Sequence, residues 1–353
     1  MANEIPDVNA FSCPLPLARY KQVLLAHGGG GKLTHELIHE LFVPEFQNEH
    51  LAQQHDGAML TIGDQRIAFS TDGYVVHPLF FPGGSIGELA VYGTANDLAM
   101  CGARPMYLSV GLVIEEGLSM DDLWRITHAM REAARIAGVA LVTGDTKVVD
   151  RGKGDGIFVT TSGIGIIPPG IDIHPRHARA GNVILINGPI ARHGIAIMSV
   201  REGLTFTTAI RSDTASLYPL VEAMFGVTTQ IHVLRDPTRG GVASTLNEIA
   251  GQAGIGIVLR ERDIPVEDEV AGACELLGFD PLYVANEGKL VAFVPRVHAD
   301  AVLQAMRAHP LGRDAAAIGE VVDAHPGMVV MHSAIGSTRV VDMLSGEQLP
   351  RIC

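Results

Sequence analysis

Apolar and polar residues alternate along the first half of the chain, and the period switches between two and about 3.6 residues. "AMLTI" and "RIAFSTD" flank Gly63-Asp64, with Ile67, Phe69 and Thr71 at every second position, which predicts a hairpin over 58–72. Ser85 followed by Glu88 is a capping-box pattern and predicts a helix from Ser85 to near Gly102. "RPMYLSVGLVI" (104–114) reads as a strand. Ser119 then caps a helix whose apolar stripe is Leu123, Ile126, Met130, Ala133 and Ala137. "VALVTGDTKVV" and "GIFVTTSGIGII" read as two further strands. Mixed strands and amphipathic helices predict a sheet covered by helices on one face.

"PPGIDIHPRHARAG" (168–181), with three prolines and little periodicity, interrupts the pattern and reads as a connection between domains. A second α/β half follows through "NVILIN", "AIMSVRE", "IHVLR", "STLNEIA", "LVAFV" and "MVVM". Beyond about Met343 the periodicity ends. The expected organisation is an N-terminal segment (1–40), an N-terminal α/β domain (41–168), a C-terminal α/β domain (169–343) and a mobile tail (344–353). The length of 353 residues agrees with two domains.

The chain ends on a thiol, in "GEQLPRIC". From Ser345 the tail spans roughly 25–30 Å if extended, more than the radius of gyration of about 20 Å expected for a globule of this size. It can therefore carry Cys353 into a cleft of its own protein, and Pro350 stiffens it. Cys13, Cys101 and Cys274 lie far apart with no CxxC pair and read as structural thiols in the reducing cytoplasm. The net charge of −13 argues against nucleic acid or an anionic membrane as the main partner. It leaves nucleoside triphosphates open, since divalent metal can bridge acid to phosphate. No apolar run reaches the roughly 20 residues of a membrane helix, and "MANEIPDVNAF" is no signal peptide.

Carboxylates beside Gly or Pro at expected strand ends mark possible crevices: Asp72-Gly73, Gly144-Asp145 and Asp236-Pro237. Asp97 falls on the apolar face of its helix, four residues after Gly93, where a charge costs several kcal/mol unless paired or metal-bound. Asn96 adds a neutral acceptor beside it. Hard oxygen ligands without a Cys-His cluster suit Mg²⁺ better than Zn²⁺. "AHGGGGKLT" (26–34) offers backbone N–H groups, the charge of Lys32 and a helix start at Thr34, as expected of a flap over phosphates. It lacks the Walker A pattern, because Ala26 and Leu33 stand where Gly and Ser or Thr are needed. "HELIH" (35–39) matches the H-E-x-x-H zinc motif, but Phe42 and Glu45 break its extended form. Leu37, Ile38, Leu41 and Phe42 make the same stretch an ordinary amphipathic helix.

"STDGYVV", "GTANDLAMCGARP", "TGDTKVV", "GDGIFVTTSGIG", "RDPTRGGVASTLNEIA", "DPLYVANEGKLV" and the terminal "PRIC" together resemble the HypE family of hydrogenase maturation proteins. That family belongs to the ATP-dependent superfamily of aminoimidazole ribotide synthetase and selenophosphate synthetase. The resemblance runs from "HGGGGK" to Cys353. It implies a two-domain aminoimidazole ribotide synthetase-like fold, α/β with mixed sheets, an N-terminal domain that binds ATP and dimerises through its sheets, and a flexible C-terminal tail. Carried over residue by residue, Asp72, Asp97 and Asp145 correspond to Mg²⁺–phosphate ligands, with Asn96 and Asp236 in the same ATP site. Gly29, Gly30, Gly31 and Lys32 correspond to the flap, and Lys147 and Glu287 to a polar pair where the tail enters. Asn182 departs from the Gly-Asp common at the start of the second domain.

The implied reaction is ATP-dependent dehydration of an S-carbamoyl group on Cys353 to a thiocyanate, the cyanide source for the iron of [NiFe]-hydrogenase. The implied partners are a second copy of the chain, the carbamoyltransferase HypF, and the iron-scaffold proteins HypC and HypD. Competing readings are another superfamily ATPase acting on a free small molecule, a passive thiol carrier, and an HExxH zinc hydrolase.

Overall fold

The computed structural model describes residues 20–204, 210–346 and 351–353; Cys13 and Pro350, read above as a structural thiol and a stiffener, lie outside them. The strands of the first half are β1 (Ala58–Ile62), β2 (Gln65–Tyr74), the short pair β3 (Phe80–Phe81) and β4 (Gly84–Ser85), β5 (Arg104–Glu115), β6 (Ala140–Val149) and β7 (Ile157–Ile166). The long strands form one sheet in the order β1-β2-β7-β5-β6. Neighbours in it are antiparallel except β5 and β6. The hairpin turns at Gly63-Asp64 as expected.

In β2, Ala68, Ser70 and Tyr74 are buried while Gln65, Phe69 and Thr71 are exposed, so one face of the sheet is covered and the other is open. The cover is α3, named after the short α1 (Lys32–Leu37) and α2 (Val43–Glu45) that precede it. This helix, Ile86–Met100, is buried at every residue except Glu88 and Asp97. Its first turns pack with Ile126 and Met130 of α4 (Met120–Ala137). Its last turn, Leu98 to Met100, packs with Leu185, Leu220 and Ala292 from the second half of the chain. One helix thus pins both halves together.

Ser85 caps α3, its hydroxyl accepting from the Gly87 N–H at 3.1 Å. The box is not reciprocal: Glu88 accepts from the Ser85 hydroxyl itself, so the two side chains pair with each other. Gly144-Asp145, expected at a strand end, lies inside β6. The strand continues because Thr146 to Val149 keep pairing with Leu112 to Glu115 of β5. A Cβ at Gly144 would stand 2.5 Å from the Val110 carbonyl, which explains the glycine.

The segment 168–181 links the two sheets but is anchored, with Ile171 and Ile173 buried in the second core. The second sheet comprises β8 (Asn182–Ile186), β9 (Val233–Arg235), β10 (Gly256–Arg260), β11 (Val291–Pro295), β12 (Ala316–Val322), β13 (Val329–His332) and β14 (Thr338–Val341). Its order is β14-β13-β10-β12-β8-β11-β9. Around it pack α5 (Arg192–Arg201), α6 (Tyr218–Phe225), α7 (Gly241–Ala253), α8 (Asp268–Leu277) and α9 (Arg296–Ala308). All five residues of β8 and the first four of β11 are buried, as expected for strands covered on both faces.

Candidate functional site

At the seam between the halves, four carboxylates converge from four segments. Asp72 comes from the covered face of β2, Asp97 from the half-open position of α3, Asp236 from the loop after β9 and Glu287 from the loop before β11. Burial, followed by the facing carboxylates of Asp236, Asp72 and Asp56, holds Asp97 well above the usual carboxylate range, although the Ser70 hydroxyl donates to it at 2.7 Å. Burial and then Asp56 push Asp236 up to about 8. Asp72 is raised by burial, against the pull of Arg239 at 3.8 Å and the Gly73 N–H at 2.7 Å. Burial and the carboxylates of Asp236, Asp72 and Asp213 raise Glu287, whose Oε1 is buried without a partner.

Arg235 offsets only part of this charge: it pulls Asp236 down, but it is bonded to Asp56 and Glu248, both at 2.7 Å. The cluster therefore carries more negative charge than Arg239 balances. No three of its groups converge on one point in the manner of a closed metal cage, among the described residues. Mg²⁺ needs no such cage: one or two carboxylates, water and phosphate oxygens complete its shell. The donor set fits a phosphate-bridging magnesium ion.

The glycine loop lies beside the cluster, locked onto the loop between β9 and α7. Gly30 has φ +71°, and a Cβ there would stand 2.7 Å from the Arg239 carbonyl; one at Gly31 would stand 2.3 Å from the Leu344 carbonyl. Gly29 is looser, with its nearest neighbour, the Ala26 carbonyl, at 3.7 Å. The helix starts at Lys32 rather than Thr34, because the Thr34 hydroxyl turns back to accept from the Gly30 N–H at 3.0 Å. Lys32 pairs with Asp342 at 2.6 Å, an exposed contact worth at most about 1 kcal/mol and easily exchanged for phosphate.

The end of the chain closes the site. The Val75 N–H donates to the Cys353 carbonyl at 3.0 Å and the His77 N–H to the Arg351 carbonyl at 3.2 Å, so the last residues extend the edge of β2. Ile352 is 2% exposed and sits in the core among Tyr74, Phe81 and Ile197. The Cys353 thiol lies beside the Glu287 carboxylate. Burial and the carboxylates of Glu287 and Asp72 raise that thiol, against Arg239.

Three of the residues expected in the site stand elsewhere. Asn96 is a strut: its amide donates to the Ala215 carbonyl at 3.0 Å and the Glu287 carbonyl at 3.4 Å and accepts from the Leu217 N–H at 2.8 Å. Asp145 and Lys147 pair with each other at 2.5 Å on the exposed edge strand β6, where Lys147 first of all lowers the Asp145 carboxyl. Register places Asp145 beside Gly111, Thr160 and Gly73, one residue out of phase with Asp72, and thus on the opposite face of the sheet. Three strand spacings, about 14 Å, separate the two positions. One chain cannot bring Asp145 to Asp72, or Lys147 to Glu287.

His35 and His39 of the HELIH stretch stack with ring centroids 3.9 Å apart, and no metal-binding group of three forms around them among the described residues. The amphipathic reading fares differently from expectation too: none of Leu37, Ile38, Leu41 and Phe42 is buried, and Ile38 and Phe42 are exposed. Sequence reasoning passed over Asp56, Asp213 and Arg239. Arg239 lay in plain view in "RDPTRGG", three residues after Asp236. Asp213 has no flanking signal; it accepts from the Glu287 N–H at 3.2 Å and from Lys289 at 3.1 Å. Burial pushes its carboxyl up, but Lys289 and His193 outweigh that and bring it below the usual range.

Comparison with known proteins agrees with this architecture. Residues 54–167 match the family described as AIR synthase related protein, N-terminal domain, and residues 179–331 its C-terminal domain. Carbamoyl dehydratase HypE of Cupriavidus necator is 56% identical over 330 residues, covering 93% of this chain and 94% of that protein. A crystal structure of hydrogenase maturation protein HypE in complex with ATP is 49% identical, with a TM-score of 0.80, covering 94% of this chain and 100% of that one. A HypE–HypF complex structure gives 46% identity and a TM-score of 0.83 over 87% of this chain and 99% of that one. The chain belongs to the HypE family of carbamoyl dehydratases, on the two-part AIR synthase-related fold.

Proposed function

We propose that this protein uses ATP to dehydrate a carbamoyl group carried on Cys353, converting Cys353–S–CO–NH₂ to Cys353–S–C≡N in the maturation of [NiFe]-hydrogenase. The single observation that carries the reading is the docked tail: the Cys353 thiol lies beside Glu287, Asp72 and Arg239, against the carboxylate cluster. A passive carrier has no need to bury its cargo site beside a phosphate-binding one.

The carboxamide oxygen attacks the γ-phosphorus of ATP and displaces ADP. The C–O bond then breaks, phosphate leaves with that oxygen, and the C≡N bond forms as one N–H proton passes to Glu287 and the other leaves with the phosphate. Magnesium held by Asp72, Asp97 and Asp236 would neutralise charge on the phosphates. Glu287, beside the Cys353 thiol and with Oε1 unpartnered, would take a proton from the amide nitrogen. Arg239, between Asp72 and the terminal sulfur, steadies negative charge there.

A docked Cys353 is a poor nucleophile, because its thiol stays protonated. The carbamoyl group is therefore loaded while the tail is outside, by a carbamoyltransferase; the complex formed by a related HypE with HypF supports HypF in that role. The cyano group then passes to iron on the HypC and HypD scaffold.

The working unit is a homodimer joined through the open face of the first sheet. Phe69, Tyr107, Val113, Ile164 and Ile166 leave that face apolar and more than a third exposed, a patch that a monomer rarely keeps. Asp145 and Lys147 share it, so a second copy receives them as the groups its own site lacks. The described cysteines, Cys101, Cys274 and Cys353, are free thiols, in keeping with the cytoplasm. No described helix is long and apolar enough to cross a membrane.

Mass analysis of the C-terminal peptide, after incubation with the carbamoyl donor system, tests the reaction. Expected is loss of one water from carbamoylated Cys353 only when ATP is present, and no cyanylated product from Cys353→Ala. Cyanylated product from that variant would move the reaction off the tail.

A further inference from the structure

The sulfur of Cys353 lies one residue past the buried Ile352, and something must fix the direction in which it points. Ile352 anchors the segment by burial, but burial leaves rotation about the next peptide free. One buried side chain contacts that peptide. His193, wholly enclosed near the start of α5, places Nε2 2.7 Å from the Ile352 carbonyl and Nδ1 2.8 Å from the Ser212 hydroxyl. A carbonyl can only accept, so Nε2 carries the proton. Burial first of all keeps the ring neutral, so Nδ1 is the acceptor and Ser212 donates to it.

Both ends of this relay are tied to the reacting groups. Ala191, two residues before His193, adopts φ +73°, and its N–H is held by the Asn286 side chain at 2.8 Å, next to Glu287. Asp213, next to Ser212, accepts from the Glu287 N–H at 3.2 Å. Adjacent residues thus hold the histidine that touches the tail carbonyl and the carboxylate that touches the tail thiol.

We propose that His193, oriented by Ser212, is a positioning residue: its bond to the Ile352 carbonyl fixes the peptide plane before Cys353 and aims the terminal sulfur at Glu287. This rests on the reading of Cys353 as the carrier of the reacting group. The bond exists only with the tail docked, so it acts on dehydration and not on loading. It makes no contact with the nucleotide-binding carboxylates, so it leaves ATP affinity alone.

The test uses full-length His193→Phe, which keeps a ring to pack edge-on against Phe81 but cannot donate, His193→Gln, which restores an N–H donor, and Ser212→Ala. Carbamoylated Cys353, ATP affinity and the alkylation rate of Cys353 by iodoacetamide are followed for each. For His193→Phe, the ATP-dependent loss of water should slow about tenfold, the size expected from one buried hydrogen bond. Cys353 should alkylate severalfold faster, with loading equal or faster and ATP affinity unchanged. His193→Gln should recover most of the rate and Ser212→Ala should fall between. A wild-type rate in His193→Phe, or His193→Gln no faster than His193→Phe, overturns the proposal. If His193→Phe does not fold, an unimpaired Ser212→Ala overturns it instead. Wild-type protein that never carries label on Cys353 would refute the carrier reading itself, a result distinct from each of these.

Discussion

Asp236 shows at one residue how burial and a neighbouring carboxylate act together in the cluster. Its pKa of about 8 stands far above the ordinary value of 3.8, raised by burial and then by Asp56. A carboxyl raised on folding stabilises the fold while protonated. That contribution is complete below about pH 4 and is lost as pH rises through about 8. Buried histidines act in the opposite sense: His174, lowered to about 4 by burial and the nearby His55, and His193, lowered by burial, weaken the fold only as pH falls below about 6.5. Between pH 7 and 9 the histidines are neutral and the carboxylates govern. The melting temperature of the nucleotide-free protein should fall by a few degrees over that interval, and Asp236→Asn should flatten the slope. An equal slope in the variant would remove Asp236 from the cluster's charge balance. The sequence made Asp236 visible because Pro237 follows it, and Asp97 visible because a charge sat on an apolar stripe. Asp56, Asp213 and His193 carry no local mark, since contacts from 74 to 179 positions away give them their roles.

At the scale of elements, the pattern that was legible was periodicity with capping; it failed in β6, where pairing outruns local signals, and at 37–42, where the apolar stripe is not buried. Ser85 and Ser119 start their helices where expected, and the 58–72 hairpin holds its register. β6 is the instructive exception. Gly144-Asp145 looks like a strand end, yet parallel pairing with β5 carries the strand through it, a partnership of residues 30 or more positions apart. That same strand turns Asp145 and Lys147 away from Asp72 and Glu287, a separation that spacing along the chain cannot express. If the open face of the sheet is a dimer seam, Ile164→Glu should yield a folded monomer. A carboxylate on an apolar interface costs several kcal/mol, enough to dissociate a micromolar or even a nanomolar dimer. Light scattering should report half the wild-type mass, and ATP turnover should fall because each site loses the partner's Asp145 and Lys147. A dimeric Ile164→Glu protein, or a monomer with full turnover, would separate those residues from the site.

For the whole molecule, the proposed reaction divides its work between two positions of the tail, and the docked one places one apolar side chain in the core. Ile352 enters the same core as Tyr74 and Phe81, whereas Arg351 pairs with Asp155 at the half-exposed rim and Cys353 meets the polar groups of Glu287 and Arg239 and the Val75 N–H. The sequence made the reach of this tail calculable, but not the seat of Ile352, because that pocket is assembled from β2, β3, α5 and the loop ahead of Glu287. Truncating Ile352 to Ala removes about 2–3 kcal/mol from the docked state alone, since the released tail exposes either side chain to water. Docking should weaken by a factor of about 30 to 150, unless it has that much affinity in reserve. Alkylation of Cys353 should accelerate, carbamoyl loading should be equal or faster, and ATP-dependent dehydration should slow. The opposite signs on loading and dehydration are the discriminating feature. A variant damaged in overall folding loses both, whereas one damaged only in docking gains the first while losing the second. Measured together on one preparation, they decide whether burial of Ile352 is what turns a loose chain end into a substrate.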